Sequence, residues 1–213
     1  GGTVIVKSLS NDVLAYGNLG AVTNAASKFT IENGATLQTT ATVTNGSPIQ
    51  LVGEAGGIIN NAADFVQQKA FSGTLLTKQG NGWLKTSVAG SSLNRMAIAA
   101  GTVQNGAGNV AKVVEFQGGA LLDNIGTSHE LNIPEKKSGT WTTSNRQTYT
   151  NKVTGAGKLV AYGAAEKGSS WVATRTPLRL NLSAFEGTLE PHAVIADDGR
   201  FTLDTSNGSN KWT

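Results

Sequence analysis

Cysteine is absent from the chain, which excludes a disulfide scaffold and any cysteine-ligated metal site. Charge is sparse: only 15% of residues are Asp, Glu, Lys or Arg, against roughly 25% in an ordinary soluble domain. A helical bundle needs Lys, Glu and Arg on its solvent faces, so the shortage argues against one. Proline is limited to 4 residues. No apolar run approaches the roughly 18–20 residues that a helix needs to span a bilayer, so this segment is not expected to cross a membrane. No basic segment with an apolar stretch opens the chain either; Gly1-Gly2 leads straight into Thr3-Val4-Ile5-Val6-Lys7. The last residues, Ser206 to Thr213, are mostly polar. The expectation is a piece of a longer protein, so a missing leader says nothing about compartment. The net charge of +3 is small and the basic residues are scattered, the one adjacent pair being Lys136-Lys137 after Glu135. Nucleic-acid binding needs a clustered basic face, and no nucleic-acid partner is expected.

What the sequence has is glycine, 27 residues of 213, together with much Ser, Thr and Asn. These suit short strands joined by tight corners, because Gly and Asn tolerate positive φ. The recurring unit is a short apolar alternation, a Gly-containing corner and a second alternation. Phe29-Thr30-Ile31-Glu32 meets Asn33-Gly34 and then Ala35-Thr36-Leu37-Gln38; Val113-Val114-Glu115-Phe116 meets Gln117-Gly118-Gly119 and then Ala120-Leu121-Leu122. Ile195-Ala196, Asp197-Asp198-Gly199 and Arg200-Phe201-Thr202-Leu203 repeat the scheme. Taken singly, Asn33-Gly34 and Asp198-Gly199 suit two-residue hairpin turns slightly better than bends between stacked strands. Repetition reverses the preference, since periodic self-similarity marks a solenoid. Phe71-Ser72-Gly73-Thr74-Leu75 recurs as Phe185-Glu186-Gly187-Thr188-Leu189, and Gly80-Asn81-Gly82-Trp83-Leu84 as Gly155-Ala156-Gly157-Lys158-Leu159.

The expected fold is therefore all-β: a right-handed, single-stranded parallel β-helix over residues 1–213, with loop excursions. Inward-facing candidates are Val4, Val6, Phe29, Ile31, Leu37, Leu75, Leu84, Ile98, Val103, Val114, Phe116, Leu121, Leu159, Leu180, Leu182, Leu189, Phe201 and Leu203. Residues 61–69 have the composition of a two-turn helix capped by Asn60 or Asn61. Residues 127–151, with Pro134, Lys136-Lys137 and a Ser/Thr-rich run, read as an excursion or edge-covering loop, and 164–177 as a second. Open solenoid ends need caps, so end-to-end self-association is a candidate interaction.

Residues 71–104 resemble the autotransporter-associated β-strand repeat of bacterial passenger domains. The match runs in order through Phe71-Ser72-Gly73-Thr74-Leu75, Lys78, Gly80, Gly82, Leu84 and Ala100-Gly101-Thr102-Val103. Val113 to Leu122 is similar to the next strand pair, and 151–189 echoes the repeat in reordered form. Trp83 stands where the family usually has a small or polar residue. The resemblance implies a β-helix on a secreted or surface-anchored bacterial protein, often an adhesin, with a host or environmental glycan or protein as partner.

Chemical constellations are thin. His129-Glu130 opens like a zinc-protease helix, but Ile133 stands where the second His is required, which leaves a loop histidine. His192 follows Pro191 with no nucleophile-elbow serine nearby. Gly106-Ala107-Gly108-Asn109-Val110-Ala111 spells a dinucleotide loop, yet a strand-like run rather than a helix follows it. Asp197-Asp198-Gly199-Arg200 has the residue types of a lyase calcium site with an Arg base; calcium wants about six to eight converging oxygens, and Asp-Gly is a common turn, so Asp197 and Asp198 are weak metal candidates. Trp83, Trp141, Trp171, Trp212 and Tyr149 could stack on sugar rings, and Trp141 and Tyr149 share the suspected excursion, which makes them the candidate ligand-binding pair. Asn45-Gly46-Ser47 is a glycosylation triplet without meaning in a bacterial protein. No cofactor is expected. The leading reading is a non-catalytic stalk or adhesin segment at the cell surface or outside the cell, the alternatives being a β-helix polysaccharide lyase or hydrolase and a carbohydrate-binding module.

Overall fold

An extended strand sends successive side chains to opposite faces, so apolar residues two apart line one surface. In the computed structural model, which describes residues 2–6, 28–86, 88, 90–106, 110–123, 129–143, 149–163 and 178–193, that surface faces inward in most strands from residue 29 onward. After β1 (Thr3–Val6), one coil comprises β2 (Phe29–Glu32), β3 (Ala35–Thr39) and β4 (Val43–Asn45), and the next β5 (Ile49–Val52), β6 (Gly57–Asn61) and β7 (Phe65–Gln67). Each later coil has two strands: β8 (Phe71–Gln79) with β9 (Trp83–Thr86), β10 (Ser92–Ile98) with β11 (Thr102–Asn105), and β12 (Ala111–Phe116) with β13 (Ala120–Asp123). The series continues through β14 (Glu130–Ile133) with β15 (Ser138–Thr143), β16 (Tyr149–Gly155) with β17 (Lys158–Gly163), and β18 (Leu178–Phe185) with β19 (Thr188–Ala193).

Every pairing among these strands is parallel, and none joins strands consecutive in sequence. They form an 11-stranded and an 8-stranded sheet, the latter ordered β19-β17-β15-β13-β11-β9-β7-β4. This is a parallel β-solenoid, all-β with no helix among the described residues. The hairpin alternative fails at the corner chemistry itself. Asn33 and Gly34 do take positive φ, 52° and 74°, but their amides donate to Val52 and Gly56 in the next coil rather than back across a turn.

Stacking produces continuous interior rows. Leu37, Ile59, Lys78, Ile98 and Phe116 occupy one register line of the large sheet. Val43, Phe65, Leu84, Val103, Leu121, Trp141 and Ala161 occupy one of the smaller sheet. All of these are buried. Each aliphatic or aromatic side chain so buried contributes about 1.5–3 kcal/mol, and the stability of such a stack is close to a sum over neighbouring coils. Groups bonded between adjacent coils lie 18 residues apart for the side chains of Asn105 and Asp123 and 22 for the Asn151 side chain and the His129 carbonyl. The corners absorb this variation, which is why the repeat spacing is irregular in the sequence.

Three expectations are corrected. Residues 61–69 are not helical: Phe65 and Gln67 point inward from β7 and Val66 does not, a period of two. The described residues 129–143 and 149–151 of the segment 127–151 are not an excursion, since β14, β15 and the start of β16 are ordinary rungs. The segment's loop-like composition comes from the corner Pro134 to Lys137, where Lys137 N–H donates to Pro134 O and Lys136 takes φ 62°, and from outward threonines such as Thr140 and Thr142. Leu75 is only partly buried, and Leu76 is the inward residue. Strand β8 continues β5 at its start and β6 at its end, and the phase flips between them near Gly73, whose φ is 116°. A Cβ on Gly73 would lie 1.9 Å from the Leu51 carbonyl oxygen, so only glycine fits this joint. Of the other inward candidates, Ile31, Leu37, Leu84, Ile98, Val103, Val114, Phe116, Leu121, Leu159, Leu180 and Leu182 are buried, while Phe29 and Leu189 are partly so. The side chains of Val4 and Val6, and residues Phe201, Leu203 and 164–177, lie outside the described residues.

Candidate functional site

Five strands of the smaller sheet end on a shared local pattern, an inward apolar residue followed two positions later by an inward polar one. Val43-Thr44-Asn45, Phe65-Val66-Gln67, Leu84-Lys85-Thr86, Val103-Gln104-Asn105 and Leu121-Leu122-Asp123 all fit it. Parallel register then stacks Asn45, Gln67, Thr86, Asn105 and Asp123 into one polar line along the interior. All five are buried. Asn45 Nδ2 donates to Gln67 Oε1 at 2.7 Å, and Gln67 Nε2 donates to the Ser47 carbonyl at 2.9 Å. Further along, Asn105 Nδ2 donates to Asp123 Oδ1 at 3.0 Å. A buried amide or carboxylate left without partners costs roughly 1–3 kcal/mol; these groups avoid that cost by bonding the neighbouring coil.

Trp141 belongs to this interior. It is fully buried, and its indole Nε1 donates to Asp123 Oδ2 at 2.8 Å. It offers no face to a sugar from that position, because the odd-numbered side of β15 faces the core. Tyr149 opens β16, and its side chain lies outside the described residues. Asp197, Asp198, Trp171 and Trp212 also lie outside them. His129 lies just ahead of β14, outside any strand as expected of a loop histidine, but it is buried, with Nδ1 3.0 Å from the Ala111 carbonyl oxygen. Ala111 begins strand β12 and so does not follow the glycine loop into a helix. Asn45 of the glycosylation triplet is buried, which removes it from any modifying enzyme.

Lys78 occupies an inward position held by Ile59 and Ile98 in the flanking coils. Its stem fills the core and its Nζ reaches the corner, donating to the carbonyls of Gln79 and Gly80 at 2.8 Å and of Ala100 at 3.2 Å. Burial pushes its ammonium down from 10.5 to about 8. With three carbonyls around it and no exposed surface, it acts as a corner cap.

Outside, charges pair between adjacent coils: Lys85 with Asp64 at 2.6 Å, Arg95 with Glu115 at 3.3 Å and Lys152 with Glu130 at 3.4 Å. Such exposed pairs contribute about 0–1 kcal/mol each. Trp83 is the exposed aromatic of the described surface, and the Lys85 ammonium lies 5.8 Å from its ring centroid. Among the described residues no group of three or more His, Asp or Glu is placed to hold a metal ion, and no helix is long and apolar enough to cross a membrane.

The sequence reading missed Asp123, Asn105 and Gln67 as interior groups and treated Lys78 only as a repeat position. The signal was present in the two-residue spacing from each inward apolar residue. In comparisons with known proteins, no family model matches the chain, and no curated protein or solved structure matches it.

Proposed function

We propose that the chain is a non-catalytic β-solenoid segment of a secreted or surface-anchored bacterial protein of the autotransporter kind, serving display and adhesion. One observation carries this reading: among the described residues, the buried polar side chains singled out above are engaged in holding coils together. Lys78 caps a corner, Asn45, Gln67, Asn105 and Asp123 bond their neighbours along the interior, and Trp141 donates to Asp123. The repeat-like residues Phe71 to Val103 support the surface context, and the stacked geometry suits an extended spacer whose length scales with coil number.

A glycan array run beside a polysaccharide-degradation assay tests it. The expected result is no turnover of any polysaccharide. Release of reducing ends or unsaturated products from even one substrate, lost in a variant of the responsible acidic or basic residue, would replace the stalk reading with an enzymatic one.

A further inference from the structure

Four Asn-Gly pairs lie among the described residues: Asn33-Gly34, Asn45-Gly46, Asn81-Gly82 and Asn105-Gly106. Glycine has no Cβ to shield its main-chain nitrogen, so that nitrogen can attack the side-chain carbonyl carbon of the asparagine before it. A bond forms between the nitrogen and Cγ, the Cγ–Nδ2 bond breaks, and Nδ2 leaves as ammonia with the amide hydrogen. Water then opens the five-membered imide at either carbonyl, giving aspartate or isoaspartate. The reaction needs a side chain free to swing, room at the glycine, an amide that can leave its hydrogen bond, and water.

The fold sorts the four pairs by these requirements. Asn45 and Asn105 are interior, at 6% and 1% exposure. Asn45 Nδ2 donates to the Ser47 carbonyl at 2.8 Å and to Gln67 Oε1 at 2.7 Å, and Asn105 Nδ2 donates to Asp123 Oδ1 at 3.0 Å. Asn81 is exposed, but its glycine is wedged against the preceding coil: a Cβ on Gly82 would lie 2.1 Å from the Ala63 carbonyl oxygen. Asn33 combines exposure with space. The nearest neighbour of a Cβ on Gly34 would be the Ala55 side chain at 3.5 Å, and the attacking nitrogen is tied by one bond, to the Gly56 carbonyl at 3.0 Å.

We propose that Asn33 is a self-modification site, where the folded chain converts the Asn33-Gly34 corner to aspartyl and isoaspartyl forms while Asn45 and Asn105 stay intact. The product carries a carboxyl group next to the exposed Glu32. The isoaspartyl form also adds a main-chain carbon to a corner whose two amides, Asn33 and Gly34, bond the carbonyls of Val52 and Gly56. Those bonds hold the coil of β2 and β3 on that of β5 and β6, so the modification loosens this junction from the outside.

The test is peptide mapping by mass spectrometry after incubation in mildly alkaline buffer, once folded and once in guanidinium chloride. The denatured sample supplies the rate of each pair in the unfolded chain, so the folded-to-unfolded ratio isolates the effect of the fold. The ratio at Asn33 should exceed those at Asn45 and Asn105 by about tenfold or more, because the interior pairs react only after their coils open, and Asn81 should fall between. An Asn33 ratio no higher than that of Asn45 or Asn105, or below that of Asn81, overturns the proposal. In the incubated folded protein, amide exchange at Gly34 should quicken in step with isoaspartate content; unchanged exchange would overturn the loosening of the junction.

Discussion

Replacing Lys78 with methionine separates the two things that this side chain does, filling a core position and capping a corner. Methionine keeps the unbranched stem between Ile59 and Ile98 but takes the ammonium from the carbonyls of Gln79, Gly80 and Ala100. Each part-buried carbonyl left without a donor costs about 1 kcal/mol or more, and the apolar replacement recovers some of that. At neutral pH the variant should be less stable than the parent by about 1–3 kcal/mol.

The pH dependence is more diagnostic. Burial lowers the Lys78 ammonium from 10.5 to about 8, so between those values the unfolded chain holds a proton that the folded chain has released. Stability of the parent therefore rises with pH across that window, and the Lys78 contribution is constant below it and above it. The gap between the two values corresponds to about 3 kcal/mol. Urea unfolding followed by circular dichroism, run on parent and variant from pH 7 to 11, reports the difference between them free of the surface lysines they share. That difference should widen by up to about 3 kcal/mol. A difference flat in pH would refute the reasoning about the buried ammonium, and a variant as stable as the parent throughout would refute the capping role.

Two further outcomes follow from the same geometry. Trp141→Phe retains most of the buried volume but deprives Asp123 Oδ2 of its donor, and should cost about 1–3 kcal/mol in urea unfolding while leaving any glycan binding untouched; lost binding with unchanged stability would return Trp141 to the surface. Gly139→Ala places a Cβ 2.1 Å from the Phe116 ring, and should destabilise by about 1–3 kcal/mol or more, whereas Gly90→Ala, with open space around it, should show only the smaller strain of its positive φ in a thermal melt.

The architecture was legible because it follows from period-two alternation and from corner glycines, both local signals. Asn33-Gly34 alone suited a hairpin; the repeated Phe71 and Gly80 units pointed to stacking, and the amides of Asn33 and Gly34 show why stacking wins. Two kinds of feature were hidden. Leu75 and Leu76 could not be told apart because the phase of β8 is set by the merger of β5 and β6 at Gly73, a non-local event. Residues 127–151 read as a loop because one polar corner and outward threonines dominate the composition, while the inward Leu131, Ile133 and Trp141 are few. The polar line was legible in principle, as Asp123 is two residues beyond Leu121. Its placement beside His129 and Trp141 depends on the register of three coils, which sequence spacing alone does not specify.

The central claim is that successive coils stack in parallel register and thereby bring inward polar residues into line. A chain without cysteine permits a direct test by paired cysteines on the outer face of the smaller sheet. Gln104 and Leu122 are register partners, and Thr142 partners Leu122 one coil further on. Neighbouring strands lie about 4.8 Å apart, inside the roughly 4.4–6.8 Å that a disulfide requires, whereas strands two coils apart are beyond it. Under mild oxidation Gln104→Cys with Leu122→Cys should form an intramolecular disulfide in nearly all molecules, and Gln104→Cys with Thr142→Cys should form none. The reverse pattern, or equal bonding in both, would contradict the parallel stack.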